Sequence, residues 1–286
     1  MFHHGQPDGP IHRELPNRNN WNNIPVVYSF PIAKDTIILP ISMCSVKVYG
    51  DSLITLRIID KNKHNCLIMR IVDRIKNKLF IELNPWMRKN VVNRINKWRL
   101  KNKQITLLAN NCNGACMLHD LGLPFNSPFV NLWLCPEDFI KYVENIEHYM
   151  KCSLAFEERD DYPYPVGVLD DIHIYFQHYK SQCEAKEKWE NRTRRMDLNH
   201  VYVLMTERDG CTHGIMERFD RLPVKHKVLL THLSYADISS SFYIKGFENE
   251  NQCGILSEFV KSQYFGKYYY DQFDYTGWFN NLNKHK

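Results

Sequence analysis

The sequence predicts an α/β protein: a three-layer α/β/α domain with a mainly parallel, Rossmann-like sheet, preceded by basic amphipathic helices and an atypical N-terminal extension. Three observations carry this expectation. From residue 103 onward, short apolar runs alternate with helix-forming segments, the pattern of parallel strands joined by crossover helices. The first run, 105–109, stops abruptly at Asn110-Asn111-Cys112-Asn113-Gly114 and feeds a helical segment. The runs 166–169 and 172–176 have almost no connection between them, so those two cannot be parallel neighbours, which need a crossover of about a dozen residues.

Taken in order, strands are expected at 105–109, 130–134, 153–156, 166–169, 172–176, 201–205 and 227–231. A helix over 136–150 opens on Pro136 at its first position, with Glu137 and Asp138 placed to complement the dipole. Ser181-Gln182-Cys183-Glu184 reads as a capping box and starts a charged helix that runs to 195. A third helix, 214–222, is stopped by Pro223. Residues 105–286 are therefore assigned to the α/β domain.

Ahead of it the chain is different in kind. Residues 1–68 hold six prolines, at 7, 10, 16, 25, 31 and 40, between short β-like runs. Two readings stay open for this stretch, a small β-rich appendage or a translated upstream segment outside the fold. Residues 69–104 carry eleven Lys/Arg against two acids, a net +9 in a chain whose total is +5. Within them Ile71/Val72, Ile75, Leu79 and Leu83 recur at helical spacing, and so do Met87, Val91, Ile95 and Trp98. Pro85 is expected to separate the two helices, with Asn84 as a cap. Such a pair either docks its apolar stripe on the core, leaving a solvated basic face, or lies on an anionic membrane surface through Trp86 and Trp98. Nucleic acid is not an expected partner, because no recognition module accompanies the charge.

Composition excludes several classes. At 44% apolar and 13% aromatic residues the bulk of the chain is not a disordered type. No run approaches the roughly 20 apolar residues that cross a bilayer. Nine cysteines at irregular spacing do not form a disulfide framework, and no secretory signal opens the sequence. A reducing, cytoplasmic setting is expected, with peripheral attachment to the inner face of the membrane as an open addition.

Three blocks carry a resemblance: ITLLANNCNGACMLHDLGLPFNSPFVNLWLCPEDFIKYVENIEHYM, YPVGVLDDIHIYFQHYKSQCEAKEKWENRTRRM and MTERDGCTHGIMERFDRLPVKHKVLLT. They resemble a bacterial family of α/β proteins of unknown function whose members are often labelled exopolysaccharide biosynthesis proteins. The resemblance covers about residues 69–243. It implies a three-layer α/β/α fold and a role in building capsule or exopolysaccharide, and it implies no established reaction.

The candidate site follows from the rule that parallel strands deliver their carboxyl ends, and the loops beyond them, to one edge of the sheet. Asn110, Asn111 and Gly114 are expected to hold a polar substrate at a strand exit, against the alternative of simple turn chemistry. Cys112 is a candidate nucleophile, with His119 or His178 as base, against the alternative of a small buried residue. Cys112 and Cys116 have no matching second pair, so no structural metal site is assigned. Asp170-Asp171 are candidate substrate ligands and, as oxygen donors, the place for a divalent cation, Mg or Mn; the alternative is a solvated turn. His178 is the candidate proton carrier. Asp209 and Thr212 either complete the cleft or cap the next helix. The expected activity is transfer of a sugar or another substituent from a sugar nucleotide to a growing or lipid-linked glycan. Two other classes remain: a Cys112-dependent acyl transferase or hydrolase, and a non-catalytic partner of a membrane-bound polysaccharide machine.

Overall fold

The computed structural model describes residues 77–281, apart from 79 and 262. The chain divides into two units, Met1–His64 and Asn65–Lys286. The first unit, the apolar positions Ile71, Val72, Ile75 and Leu79, and the rest of the 1–68 extension lie outside the described residues.

Residues 80–99 are helical throughout, which corrects the expected break at Pro85. A π-turn at Arg88–Val92 leads into helix α1 (Asn93–Arg99). The face this helix turns to the domain is polar. Asn84 is no cap: it is buried, donates to Gln263 O (2.8 Å) and accepts from Gly266 N (3.0 Å). One turn on, buried Arg88 binds Asp120, Asp271 (2.6 Å), Tyr270 OH (2.7 Å) and Gly266 O (3.1 Å). The π-turn inserts one residue, so this polar face resumes at Asn93, which donates to Asp120 (2.9 Å), and at Asn96, which donates to Tyr275 OH (3.0 Å). Of the expected apolar stripe, Leu83, Ile95 and Trp98 are exposed and Met87 and Val91 half-buried; Ile81 and Trp86, outside it, are exposed as well.

Strand β1 (Thr106–Ala109) follows, then α2 (Asn113–Leu121), α3 (Pro136–Glu144) and the short α4 (Ile146–Tyr149). Next come β2 (Ala155–Glu157), β3 (Val166–Leu169), β4 (Ile172–Tyr175) and α5 (Gln182–Thr193). The chain continues through β5 (Val201–Thr206), α6 (His213–Asp220), β6 (His226–Thr231), β7 (Ser241–Tyr243) and α7 (Tyr275–Phe279). Of the capping box expected at α5 one half forms, Glu184 N donating to Ser181 Oγ at 3.2 Å; the Glu184 carboxylate accepts instead from Lys180 N (3.3 Å), one residue before the cap.

β1, β5, β6 and β7 pair in that order, every pair parallel. Their alternating side chains feed two cores. Leu108, Val203, Met205 and Leu229 pack with α3, α5 and α6; Leu107, Ala109, Leu204, Val228 and Leu230 pack with α2 and the aromatic C-terminal segment. This is the three-layer arrangement with a mainly parallel sheet. β2, β3 and β4 make a separate antiparallel sheet, and Asp170-Asp171 is the turn of its β3–β4 hairpin.

Two expected elements differ. Residues 130–134 are not a strand, and only Trp133 pairs, with Tyr175. Asn131 has φ +61°, which interrupts the extended run. The helix expected over 136–150 breaks at Asn145, whose ψ of 47° leaves the helical region. Beyond the expected elements, buried Tyr270, Phe273, Tyr275, Trp278 and Phe279 of the C-terminal segment complete the second core.

Candidate functional site

The helix after β1 and the helix after β5 leave the sheet in opposite directions. Met117, Leu118 and Leu121 of α2 enter one core, and Met216 and Phe219 of α6 enter the other. Adjacent parallel strands whose exits diverge in this way open a crevice beyond their carboxyl ends, where ligands of open α/β sheets sit. Here residues 110–113, after β1, and residues 207–212, after β5, flank that position. The first and last loops of the expected site thus leave the same sheet edge.

Within the first loop the side chains divide the work. Asn110 is buried with both ends used: Thr206 N donates to its Oδ1 (2.9 Å) and its Nδ2 donates to Thr206 O (3.2 Å). It ties the ends of β1 and β5 together and has little left for a ligand. Asn113 Nδ2 adds a bond to Thr206 Oγ1 (3.2 Å). Gly114 serves packing, because a Cβ there would stand 2.6 Å from Ala109 Cβ and 3.1 Å from Leu107. Asn111 is the residue with capacity to spare. Its Oδ1 accepts from Asn113 N (3.0 Å), while its Nδ2 is out of solvent and has no partner. A buried donor left open in this way points to a ligand or a bound water.

Cys112 is half-buried and its thiol donates to Leu132 O (3.8 Å). Burial, with Cys116 nearby, pushes the thiol up to about 11 although Arg208 opposes it, so it is not an activated thiolate. His178 is joined to the first loop through the backbone. Its N–H donates to Asn131 O (3.3 Å), and the 131–134 segment is held to the loop by Leu134 N to Asn110 O (3.0 Å).

Across the crevice, Asp209 adopts φ +55°, its N–H donates to Gln252 (2.8 Å), and its carboxylate accepts from Arg208 (3.0 Å). Thr212 caps α6 by accepting from Ile215 N (3.4 Å). The feature that sequence reasoning missed lies just behind them. Glu207, the first residue past β5, is buried and accepts three hydrogen bonds: from His232 N (2.9 Å), His232 Nδ1 (2.7 Å) and Tyr235 OH (2.8 Å). His232 is the first residue past β6. A carboxylate on Nδ1 fixes the ring orientation and holds the proton there, which leaves Nε2 as the basic nitrogen. Nε2 has no protein partner among the described residues. The strand-end rule applied to β6 as well as β5 finds both residues.

Asp170 and Asp171 fall elsewhere. Because β3 and β4 are antiparallel, their turn lies at the end of β4 away from Tyr175 and the first loop. Asp171 accepts from Tyr149 OH (2.6 Å) and Lys141 (2.9 Å), and these bonds hold its carboxyl below the usual carboxylate range. Asp170 contacts His148, a residue that lines a cavity of about 1130 Å³ with Val201 and His226 at the opposite, amino edge of the main sheet. The Asn110 and Asp209 loops therefore leave one sheet edge, with His178 tied to the first of them through Asn131, and the Asp pair lies apart from both.

An open, mainly parallel sheet with helices packed on both faces places this chain among α/β proteins. It belongs to the family described as Domain of unknown function (DUF1919), which it matches over residues 84–280. That span starts at the buried Asn84 and takes in the C-terminal aromatic segment, so the family unit extends past residue 243. An uncharacterized protein of Haemophilus influenzae is 50% identical over 189 residues, which cover 66% of this chain and 90% of that protein.

Proposed function

We propose that the protein is a transferase of surface-polysaccharide assembly that moves a sugar or related substituent from a sugar nucleotide to a glycan or lipid-linked acceptor. The pathway part of this reading is supported by the sequence resemblance alone. The reaction class is supported by one observation, the buried Glu207 carboxylate that orients His232. Transfer to a hydroxyl requires a group that accepts the acceptor's proton, and a carboxylate-oriented imidazole with a free Nε2 is suited to that task. Asn111 Nδ2 and Arg208, on the two sides of the crevice, are the donors for an anionic donor substrate. No feature of Cys112 favours the acyl-transfer alternative. The test is a panel of nucleotide sugars scored by thermal shift, with and without Mn²⁺. A specific nucleotide sugar is expected to raise the melting temperature of the wild type, and a flat panel would argue against this substrate class.

A second reading, peripheral attachment to an anionic lipid surface, is favoured by the outward face of residues 80–99. Trp86 and Trp98 are 56% and 76% exposed, beside exposed Lys89, Arg94 and Lys97. Among the described residues no helix is long and apolar enough to cross a membrane. The full chain is expected to sediment with phosphatidylglycerol vesicles and to be released by high salt, since exposed charges are screened within about 10 Å at about 0.1 M. Trp86→Ala/Trp98→Ala and Lys89→Glu/Arg94→Glu should each weaken binding. Equal binding to neutral vesicles would remove the electrostatic part of this reading.

A further inference from the structure

We propose that His148, Cys152 and Asp170 bind one zinc-class transition-metal ion at the mouth of the amino-edge cavity. The three donors come from two elements. His148 lies in α4 and Cys152 three residues past its end, where the turn of the chain brings the thiol back to donate to His148 O (3.4 Å). Asp170 comes from the β3–β4 turn, which Asp171 pins to this helical region through Tyr149 and Lys141.

Both partners meet the same ring atom. His148 Nε2 is 2.7 Å from Asp170 Oδ2 and 3.6 Å from Cys152 Sγ, and all three donor atoms lie within 4.8 Å of one another. A catalytic relay would place the carboxylate and the thiol on different ring nitrogens, as Glu207 takes Nδ1 of His232 and leaves Nε2. Convergence on one nitrogen is instead the geometry of a ligand set. Bond lengths of about 2.0 Å to nitrogen and 2.3 Å to sulfur put tetrahedral N and S ligands about 3.5 Å apart, close to the observed separation. The carboxylate would have to retreat by about half an ångström to reach its own ligand distance.

The donor types choose the ion. One imidazole, one thiolate and one carboxylate suit zinc or cobalt; magnesium and calcium take oxygen. On binding, Cys152 loses its proton to solvent and the thiolate takes its place on the metal. Three protein ligands leave a fourth position, and since His148 and Cys152 line the cavity of about 1130 Å³, a water or an oxygen donor of a small ligand can reach it from there. This site is independent of the crevice at the carboxyl edge.

The probe is Co²⁺, titrated into the untagged, metal-stripped full chain and followed by absorbance, with Zn²⁺ competition to establish preference. One equivalent is expected to bind with a thiolate-to-cobalt charge-transfer band, and Zn²⁺ should abolish it. Cys152→Ser should lose the band. Asp170→Asn and His148→Gln should weaken binding by more than about tenfold. Cys183→Ser, at an exposed cysteine outside the set, should change nothing. Circular dichroism of each variant confirms the fold, and Asp170→Asn keeps the hairpin turn if Cys152→Ser perturbs it. A band that survives in Cys152→Ser, or affinity unchanged in Asp170→Asn and His148→Gln, or no binding by the wild type, would overturn the assignment.

Discussion

His232→Gln is expected to lower turnover on the nucleotide sugar identified by the panel by about 10²–10⁴-fold, the usual contribution of a general acid or base. The substitution preserves volume and a polar group near Glu207, so folding should be retained and the melting temperature should move little. Glu207→Gln should produce a loss of similar order by a different route. An amide in place of the carboxylate can donate to Nδ1, which favours the tautomer with the proton on Nε2 and removes the base. It also withdraws the charge that would stabilise the imidazolium as the acceptor's proton arrives. Pre-steady-state assays of both variants check this. Turnover within a few-fold of wild type in His232→Gln would remove the residue from the reaction.

Arg88→Met is expected to cost about 3–5 kcal/mol, because it strands Asp120 and Asp271 beneath the helix without their cation. For a domain of this size that corresponds to a fall in melting temperature of roughly 10 °C. Burial works against the guanidinium's charge, yet Tyr270, Asp271 and Asp120 more than offset it, and its pKa lies above the ordinary arginine value. Burial also raises the Asp271 carboxyl, against the pull of Arg88. With Arg88 gone only the Tyr268 N–H still opposes that upward shift. A carboxyl whose folded pKa is raised contributes stability below its unfolded pKa and loses it as pH rises. The deficit of Arg88→Met should therefore be largest near neutrality and shrink toward acid pH. Arg88→Met combined with Asp120→Asn and Asp271→Asn should recover part of the loss. Urea denaturation at two pH values measures both effects, and a deficit independent of pH would mean that the acids are not its origin.

The parts of this fold that could be read in advance are those whose signal is local. The β3–β4 hairpin follows from two apolar runs too close for a crossover, and the start of α5 follows from Ser181 and Glu184. The N-terminal helix defeats the same reasoning because the residues it bonds to the domain are buried Asn84 and Arg88 and half-buried Asn93 and Asn96, while Trp86 and Trp98 face out. Hydrophobic periodicity reports the wrong side there, and the π-turn shifts the phase of the pattern as well. The C-terminal segment is aromatic without period, since Tyr269–Gln272 is a 3₁₀ turn and α7 spans only five residues.

The candidate site divides in the same way. The strand-end rule finds the Asn110 and Asp209 loops because each follows a plain apolar run. It also overstates Asn110 and Gly114, whose turn chemistry serves the backbone and the α2–β1 contact. Glu207 is hidden in the sequence Thr206-Glu207-Arg208-Asp209, which reads as a solvated charge run. Its burial comes from tertiary placement, with β5 between β1 and β6, and from Tyr235 and His232, which lie 28 and 25 residues away.

Substrate is expected to bind at the carboxyl edge of the parallel sheet. Hydrogen–deuterium exchange of the full chain, with and without the stabilising nucleotide sugar, tests it most directly. Protection is expected in peptides covering residues 110–113, 207–212 and 232–235. Protection confined to residues 143–152, 198–202 and 223–226, around the amino-edge cavity, would contradict it.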